Sequence, residues 1–267
     1  MGGRGSSSKR TGYTTPLMMP PKEAEPEEAK PTEPTAAEPD SSDDNKYHYF
    51  YDKMEDPWNY VGDGHHQVEW FKNNSNVDEI INDATTVDKM AMRDWASGHF
   101  MAGQQYLGWD RMRDSDKQWT QLYDDMLDKS VLKKGVTVVR RTDAQLVMGA
   151  GVYTASLEQL KAMEGKEIIS KGNMSTGAAS QGLTIGDDSK RHEFRIKIPA
   201  GSKGAGMWIG DSRINPYWGA KQREFMINRD TVFKVGKTRY DADRNVYITD
   251  ITFQHRMPHD YGTSGRV

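Results

Sequence analysis

The sequence predicts an α+β domain. Two observations carry that expectation: apolar residues recur at helical spacing up to about residue 132, and β-rich segments follow from Gly135 onward. Helices first and strands afterwards argue against a βαβ series. Several of the later segments alternate apolar and polar residues, which predicts antiparallel sheet with one wetter face.

Order is expected to begin near Tyr47-His48-Tyr49-Phe50-Tyr51, where aromatic residues become dense. This divides the chain into a tail over 1–46 and a folded domain over 47–267. Asn76 is placed to cap a helix over Val77–Asp83, and Thr86 to cap Val87–Ala96, with Val87, Met90, Ala91 and Trp95 on one face. Asp114 is placed to open a longer helix through Leu132 that turns Trp119, Leu122, Tyr123, Met126 and Leu127 inward. Gly135 precedes Val136-Thr137-Val138-Val139-Arg140-Arg141, a β-branched run that reads as a buried strand. Further strands are expected at Glu167–Ser170, His192–Ile198, Arg223–Ile227, Thr231–Val235, Arg239–Tyr240 and Asn245–Phe253.

Composition sets limits on function. With 267 residues and 35% hydrophobic content, the chain has room for one ordinary domain and less apolar material than a wholly folded chain carries. Residues 1–46 hold seven of the eleven prolines, with six basic and nine acidic residues that account for the net charge of −3. Such a Pro/Glu/Ala-rich segment has too little to bury to offset the entropy of ordering, and disorder is expected there. The rest of the chain is neutral, so nothing in the bulk charge calls for nucleic acid. There is no cysteine, which excludes disulfides, Cys-type zinc sites and a thiol nucleophile. No apolar run approaches the ~18 residues of a membrane span, and the start of the chain lacks the apolar segment of a secretory signal. The expectation is a soluble cytoplasmic protein with no membrane partner. Met1-Gly2-Gly3-Arg4-Gly5-Ser6 fits an N-myristoylation pattern loosely.

Four segments could carry chemistry. Arg140 and Arg141 end the β-branched strand on opposite faces, and one guanidinium there could clamp a phosphate through its fork of donors. The plainer explanation is two solvated arginines at a strand end. Lys171-Gly172-Asn173-Met174-Ser175-Thr176-Gly177 reads as a Gly- and hydroxyl-rich turn, of a kind common in simple loops. Gly201–Gly210 is Gly-rich but lacks the spacing of a P-loop, and Gly149-Ala150-Gly151 has only the start of a dinucleotide fingerprint. In Gln222-Arg223-Glu224, positions 222 and 224 of an extended strand would face the same space, although an edge strand's polar face would look the same. His65, His66 and Glu69 lie close together, with no further ligands nearby to complete a metal site.

The order of these pieces resembles the mono-ADP-ribosyltransferases of the Arg/Ser-Thr-Ser/Gln(Glu)-x-Glu class. That class includes the clostridial Rho-modifying exoenzymes and the catalytic domains of binary actin toxins. The likeness runs from about Trp70 to Phe253: an arginine ending a strand, a Met-Ser-Thr segment, Pro199–Ala205 and a loop, then Gln-x-Glu before a strand and an Asn-Arg-x-Thr turn. It implies N-terminal helices packed on a two-sheet, mostly antiparallel β-core. It also implies NAD as a substrate, no metal, and an acceptor protein, with the host-cell cytoplasm as its location if the protein is phage-encoded. The start and tail are like those of phage and prophage transferases.

By this resemblance Arg140 contacts the NAD phosphate and ribose, with Arg141 as the neighbouring candidate. Ser175, Thr176 and Gly177 fall on the Ser-Thr-Ser segment, where the serine orients the catalytic glutamate and the threonine supports the strand. Gly177 departs from the third serine. Glu224 falls on the catalytic glutamate and Gln222 on the residue that helps select the acceptor. Gly206–Lys221 corresponds to the acceptor-recognition loop, presenting Tyr217 and Trp218. Ser180–Arg191 corresponds to the loop over the NAD phosphates. A glutamine at 222 cannot act as a base, which implies an acceptor side chain other than arginine. Two other outcomes stay open at this stage: an NAD glycohydrolase, and a non-catalytic interaction protein that keeps the fold.

Overall fold

The computed structural model describes residues 46–50, 65–96, 114–149, 151–178, 183–184, 191–214 and 223–259. These lie in one compact unit, Asp40–Val267. The tail expected over 1–46 is outside the described residues apart from Lys46.

The first strand, β1 (Tyr47–Tyr49), precedes four helices: α1 (His65–Asn74), α2 (Val77–Asp83), α3 (Thr86–Ala96) and α4 (Asp114–Asp128). Strand β2 (Gly135–Thr142) leads to the short helices α5 (Gln145–Met148) and α6 (Leu157–Lys161). The remainder is β3 (Glu167–Ser170), β4 (Met174–Gly177), β5 (Leu183–Thr184), β6 (His192–Ile198), β7 (Gly206–Trp208), β8 (Glu224–Ile227), β9 (Thr231–Asp241) and β10 (Val246–Arg256). The α+β class holds, with helices ahead of a mostly antiparallel sheet.

Two separate sheets are not what the hydrogen bonding shows. The strands form one connected path, β3-β9-β10-β6-β2-β4-β8-β7, with β1 and β5 also pairing with β2. The path narrows where β2 meets β4, which pair at a single position, Val139 with Gly177. On either side of this joint the pairing is extensive, from Val136–Ile198 to Thr142–His192 between β2 and β6 and along the whole of β4 with β8. The two extensively paired regions therefore meet at one narrow seam, and Arg140 is the next residue along β2.

One apolar core joins the helices to the strands. Phe71 of α1 is fully buried and stacks on Trp208 of β7 at 4.8 Å and on Phe225 of β8 at 5.5 Å. Tyr123, Met126 and Leu127 of α4 enter the same core beside Val136 and Val138. Gly206 lets β7 approach β8 closely, because a Cβ there would meet the Met226 carbonyl at 2.2 Å.

Several local expectations are corrected. Asn76 does not cap α2; its amide instead donates to the Lys129 carbonyl at 2.9 Å and accepts from Val131 N–H at 2.8 Å, tying α2 to the chain after α4. Thr85, not Thr86, caps α3, in a reciprocal pair with Asp88. The face of α3 is rotated: Ala91 and Met92 are buried, whereas Val87 and Met90 are each about half exposed at 49%. Helix α4 stops at Asp128 because Val131 and Leu132 are taken by bridges to Lys203 and Ser75. Residues 174–177, expected in a turn, form strand β4, since β8 on one side and β2 on the other supply backbone partners. The two segments expected at 231–235 and 239–240 are one continuous strand.

Candidate active site

Three strands deliver the residues singled out in sequence. Arg140 comes from β2, Ser175 to Gly177 from β4, and Glu224 from the first position of β8. In the β4–β8 ladder Ser175 lies opposite Met226, Thr176 opposite Phe225 and Gly177 opposite Glu224. Strand alternation puts Ser175 and Gly177 on one face and Thr176 on the other. Gly177 has no side chain to occupy the space opposite Glu224. The glutamate reaches along the strand to the diagonal neighbour, and the Ser175 hydroxyl donates to its Oε1. Thr176, on the far face, is fully buried and donates to the Phe225 carbonyl at 2.5 Å, which fixes β4 on β8.

Arg140 closes the arrangement from the other side of the seam. The residue is 3% exposed and its Nη1 donates to the Ser175 carbonyl at 2.7 Å. One residue, Ser175, thus touches both partners, by its carbonyl and by its hydroxyl. Burial pushes the Glu224 carboxyl up to about 7, against the lowering effects of the Ser175 hydroxyl and the Arg140 charge. Tyr123 of α4 stands close enough to feel that charge: burial first, then Glu224 and Asp124, hold its phenol well above the usual range. The helical pattern marks Tyr123 only as a core residue, and nothing in the sequence places it beside the glutamate.

Beside Arg140 opens a cleft of about 420 Å³. Its polar lining is Arg140, Thr142, Gln145, Ser170, Lys171 and Asn173, and its apolar walls come from α5 and β3. The floor at 171–173 is held from below by the turn after β8. Asn173 Oδ1 accepts from Arg229 N–H at 2.7 Å, and Arg229 pairs with buried Asp124 at 2.7 Å. Lys171 lies 3.5 Å from Asp230. The sequence does not single out Thr142 and Gln145 because only the fold brings α5 against β3.

The expectation that Gln222 and Glu224 stand side by side on a strand is corrected in one respect. Strand β8 starts at Glu224, and Arg223 has a left-handed backbone with φ 48°, so extended alternation does not run through 223. Gln222, Tyr217 and Trp218 lie outside the described residues, as do all of 180–191 except 183, 184 and 191. Among the described residues no group of three or more His, Asp or Glu side chains could hold a metal.

A family model described as ADP-ribosyltransferase exoenzyme matches residues 67–255. No curated protein sequence matches the chain. Among solved structures, C3stau2 from S. aureus, crystallised with NAD, superposes with a TM-score of 0.58 at 15% identity, covering 79% of this chain and 100% of that one. The Plx2a toxin of Paenibacillus larvae, an ADP-ribosyltransferase, gives 0.56 at 20% identity over 72% and 96% of the two chains. The Clostridium limosum C3 exoenzyme gives 0.57 at 12% identity over 78% and 98%. At these identities the likeness is one of fold.

Proposed function

The chain belongs to the ADP-ribosyltransferase exoenzyme family, and from that premise we propose that Glu224, Ser175 and Arg140 carry the transfer of ADP-ribose from NAD to a protein acceptor, with release of nicotinamide. The observation that carries the assignment is the double role of Ser175, which accepts from Arg140 and donates to Glu224.

Breaking the nicotinamide–ribose bond develops positive charge on the ribose, as in glycoside hydrolysis. The Glu224 carboxylate is the anion placed to stabilise that charge, and its burial strengthens the effect. Ser175 fixes the carboxylate's rotamer. Arg140 faces the cleft and is the cation that can hold the dinucleotide's phosphates through charge-assisted hydrogen bonds. Thr176 holds β4 to β8 through the Phe225 carbonyl, and Gly177 puts no side chain opposite Glu224. Glu224 must be ionised to act, so the raised carboxyl makes the reaction depend on pH near neutrality.

The acceptor reading rests on residue type. Gln222 offers an amide that can hydrogen-bond an acceptor but cannot deprotonate a guanidinium, so the acceptor is a side chain other than arginine. Tyr217 and Trp218 supply aromatic contact for the target, proposed to be a host-cell protein. The test is incubation with labelled NAD and a cell lysate beside a Glu224→Ala control. Label on a discrete band that the control lacks, located on a non-arginine residue by mass spectrometry, is the expected result. Free ADP-ribose with no labelled band identifies a glycohydrolase, and absence of turnover overturns the assignment.

A further inference from the structure

We infer that Lys171 is a binding residue for NAD: its ammonium is the second cation of the cleft, and it leaves Asp230 to take a phosphate of the dinucleotide beside Arg140. The inference rests on the reading of the cleft as the NAD site.

The charge of the cleft suits an anion. Among the described residues that line it, Arg140 and Lys171 are the charged ones, and none is acidic. They come from different elements, Arg140 from β2 and Lys171 from the turn between β3 and β4. Each phosphate of NAD's diphosphate bridge is negative near neutral pH, so the pair of cations matches the pair of anionic groups. Arg140 commits Nη1 to the Ser175 carbonyl, and Lys171 adds the donors of its own ammonium. Lysine serves as a phosphate binder in this way, as a point charge.

The root of Lys171 is fixed, whereas its head is exposed. The Ser170 hydroxyl donates to the Gly172 carbonyl at 3.0 Å, and Asn173 Oδ1 accepts from Arg229 N–H at 2.7 Å, so the turn is held on both sides of 171. The Lys171 side chain is 64% exposed, and its Nζ lies 3.5 Å from Asp230 Oδ1. That separation is longer than the roughly 2.7–2.9 Å of a charge-assisted hydrogen bond. Asp230 has other partners. Its Oδ2 lies 3.3 Å from His259 Nδ1 and 3.6 Å from Arg229 Nη1, and both of those side chains are buried. Burial works against the Asp230 charge, yet the His259 hydrogen bond and the Arg229 charge, ahead of Lys171, hold its carboxyl below the ordinary range. Three basic side chains thus surround one carboxylate, and the lysine is the exposed one on a flexible stem. Its turn toward a phosphate leaves Asp230 with two buried partners, so the move costs little.

Equilibrium binding of NAD and of ADP-ribose is measured by calorimetry for wild type, Lys171→Met, Lys171→Glu and Lys171→Arg, with nicotinamide release followed in parallel. Lys171→Met keeps the stem and loses the charge. Its Kd for both ligands should rise roughly tenfold, the usual effect of one charged hydrogen bond. Its kcat should change less than about twofold, because a phosphate contact made equally in ground and transition states leaves kcat alone. Lys171→Glu should bind both ligands more weakly still, and Lys171→Arg should stay within about threefold of wild type. The gap between wild type and Lys171→Met should shrink at high salt. Inhibition by nicotinamide, which has no phosphate, should be the same in all four proteins. A lysine that serves only the ion pair with Asp230 would change Tm and leave these Kd values alone. Unchanged Kd in both Lys171→Met and Lys171→Glu overturns the inference. So does a loss of nicotinamide affinity equal to the loss of NAD affinity, which marks a deformed cleft. Failure of the wild type to bind NAD instead removes the reading on which the inference rests, a result seen before any variant is made.

Discussion

Ser175 and Glu224 are hydrogen-bonded across a β-ladder in which they are not opposite each other. The residue opposite Glu224 is Gly177, and the glutamate leans past it to the hydroxyl two positions away. The glycine provides the room for this diagonal contact, and the serine gives the carboxylate a fixed direction.

Glu224 is expected to lower stability as pH rises. Burial raises its carboxyl from the ordinary range near ~4.3 to about 7 in the folded state, so the native protein binds the extra proton between these values. The cost is absent below the lower value and complete above the upper one. Glu224→Gln should therefore melt higher than wild type at pH 8 and about equally at pH 4.5, while losing at least roughly 100-fold in kcat. Calorimetry at the two pH values, with nicotinamide release, checks both halves. A variant that melts lower at pH 8 contradicts the first.

Ser175→Ala removes the hydroxyl that favours the ionised carboxylate. The acid limb of the kcat profile should move to higher pH. At pH 7 the variant is expected to lose about tenfold in kcat, and less at pH 9 where Glu224 is ionised regardless. A profile of unchanged shape speaks against the contact.

Arg140→Lys keeps the charge but loses the planar fork that reaches both the Ser175 carbonyl and the cleft. KM for NAD should rise roughly tenfold or more, since lysine does not replace arginine at a bidentate phosphate site. Equilibrium binding of NAD, measured by tryptophan fluorescence, separates this from an effect on chemistry alone.

His259 closes a buried ionic cluster under the cleft floor, with Asp128 and Asp230 each 3.3 Å from its ring nitrogens and Asp124 at 3.9 Å. Burial opposes its charge, but the hydrogen bonds to Asp128 and Asp230 outweigh burial and raise its pKa. A raised histidine contributes stability that is complete below its ordinary value near ~6.5 and lost as pH rises through the folded value. His259→Gln should consequently narrow the gap in Tm between pH 6 and pH 9 relative to wild type. An equal Tm difference from wild type at both pH values argues that the ring serves packing alone.

Phe71→Ala should cost about 3–5 kcal/mol, because the ring is fully buried and stacked between Trp208 and Phe225. Denaturant unfolding measures the loss. Activity per folded molecule is expected to fall as well, since Phe225 is the neighbour of Glu224 on β8.

The amino-acid sequence by itself determined the α+β order, the buried β2 strand and the core face of α4, and it singled out Arg140, Ser175, Thr176, Gly177 and Glu224 as candidates. These are matters of local period, residue type and order along the chain, and each is written in a short window. Only the tertiary structure decided what those residues touch. A carbonyl and a hydroxyl of one serine meet partners 35 and 49 positions away, and no local pattern encodes which backbone groups will be left for them. The same holds for the errors. Asn76 and Val131 have local roles open to them as a helix cap and a helix end, yet distant backbone groups claim both. Residues 174–177 look like a turn until β2 and β8 arrive on either side. Alternation through 222–224 assumes an extended chain, whereas Arg223 has a left-handed backbone and β8 begins only at Glu224, between partners far away in sequence.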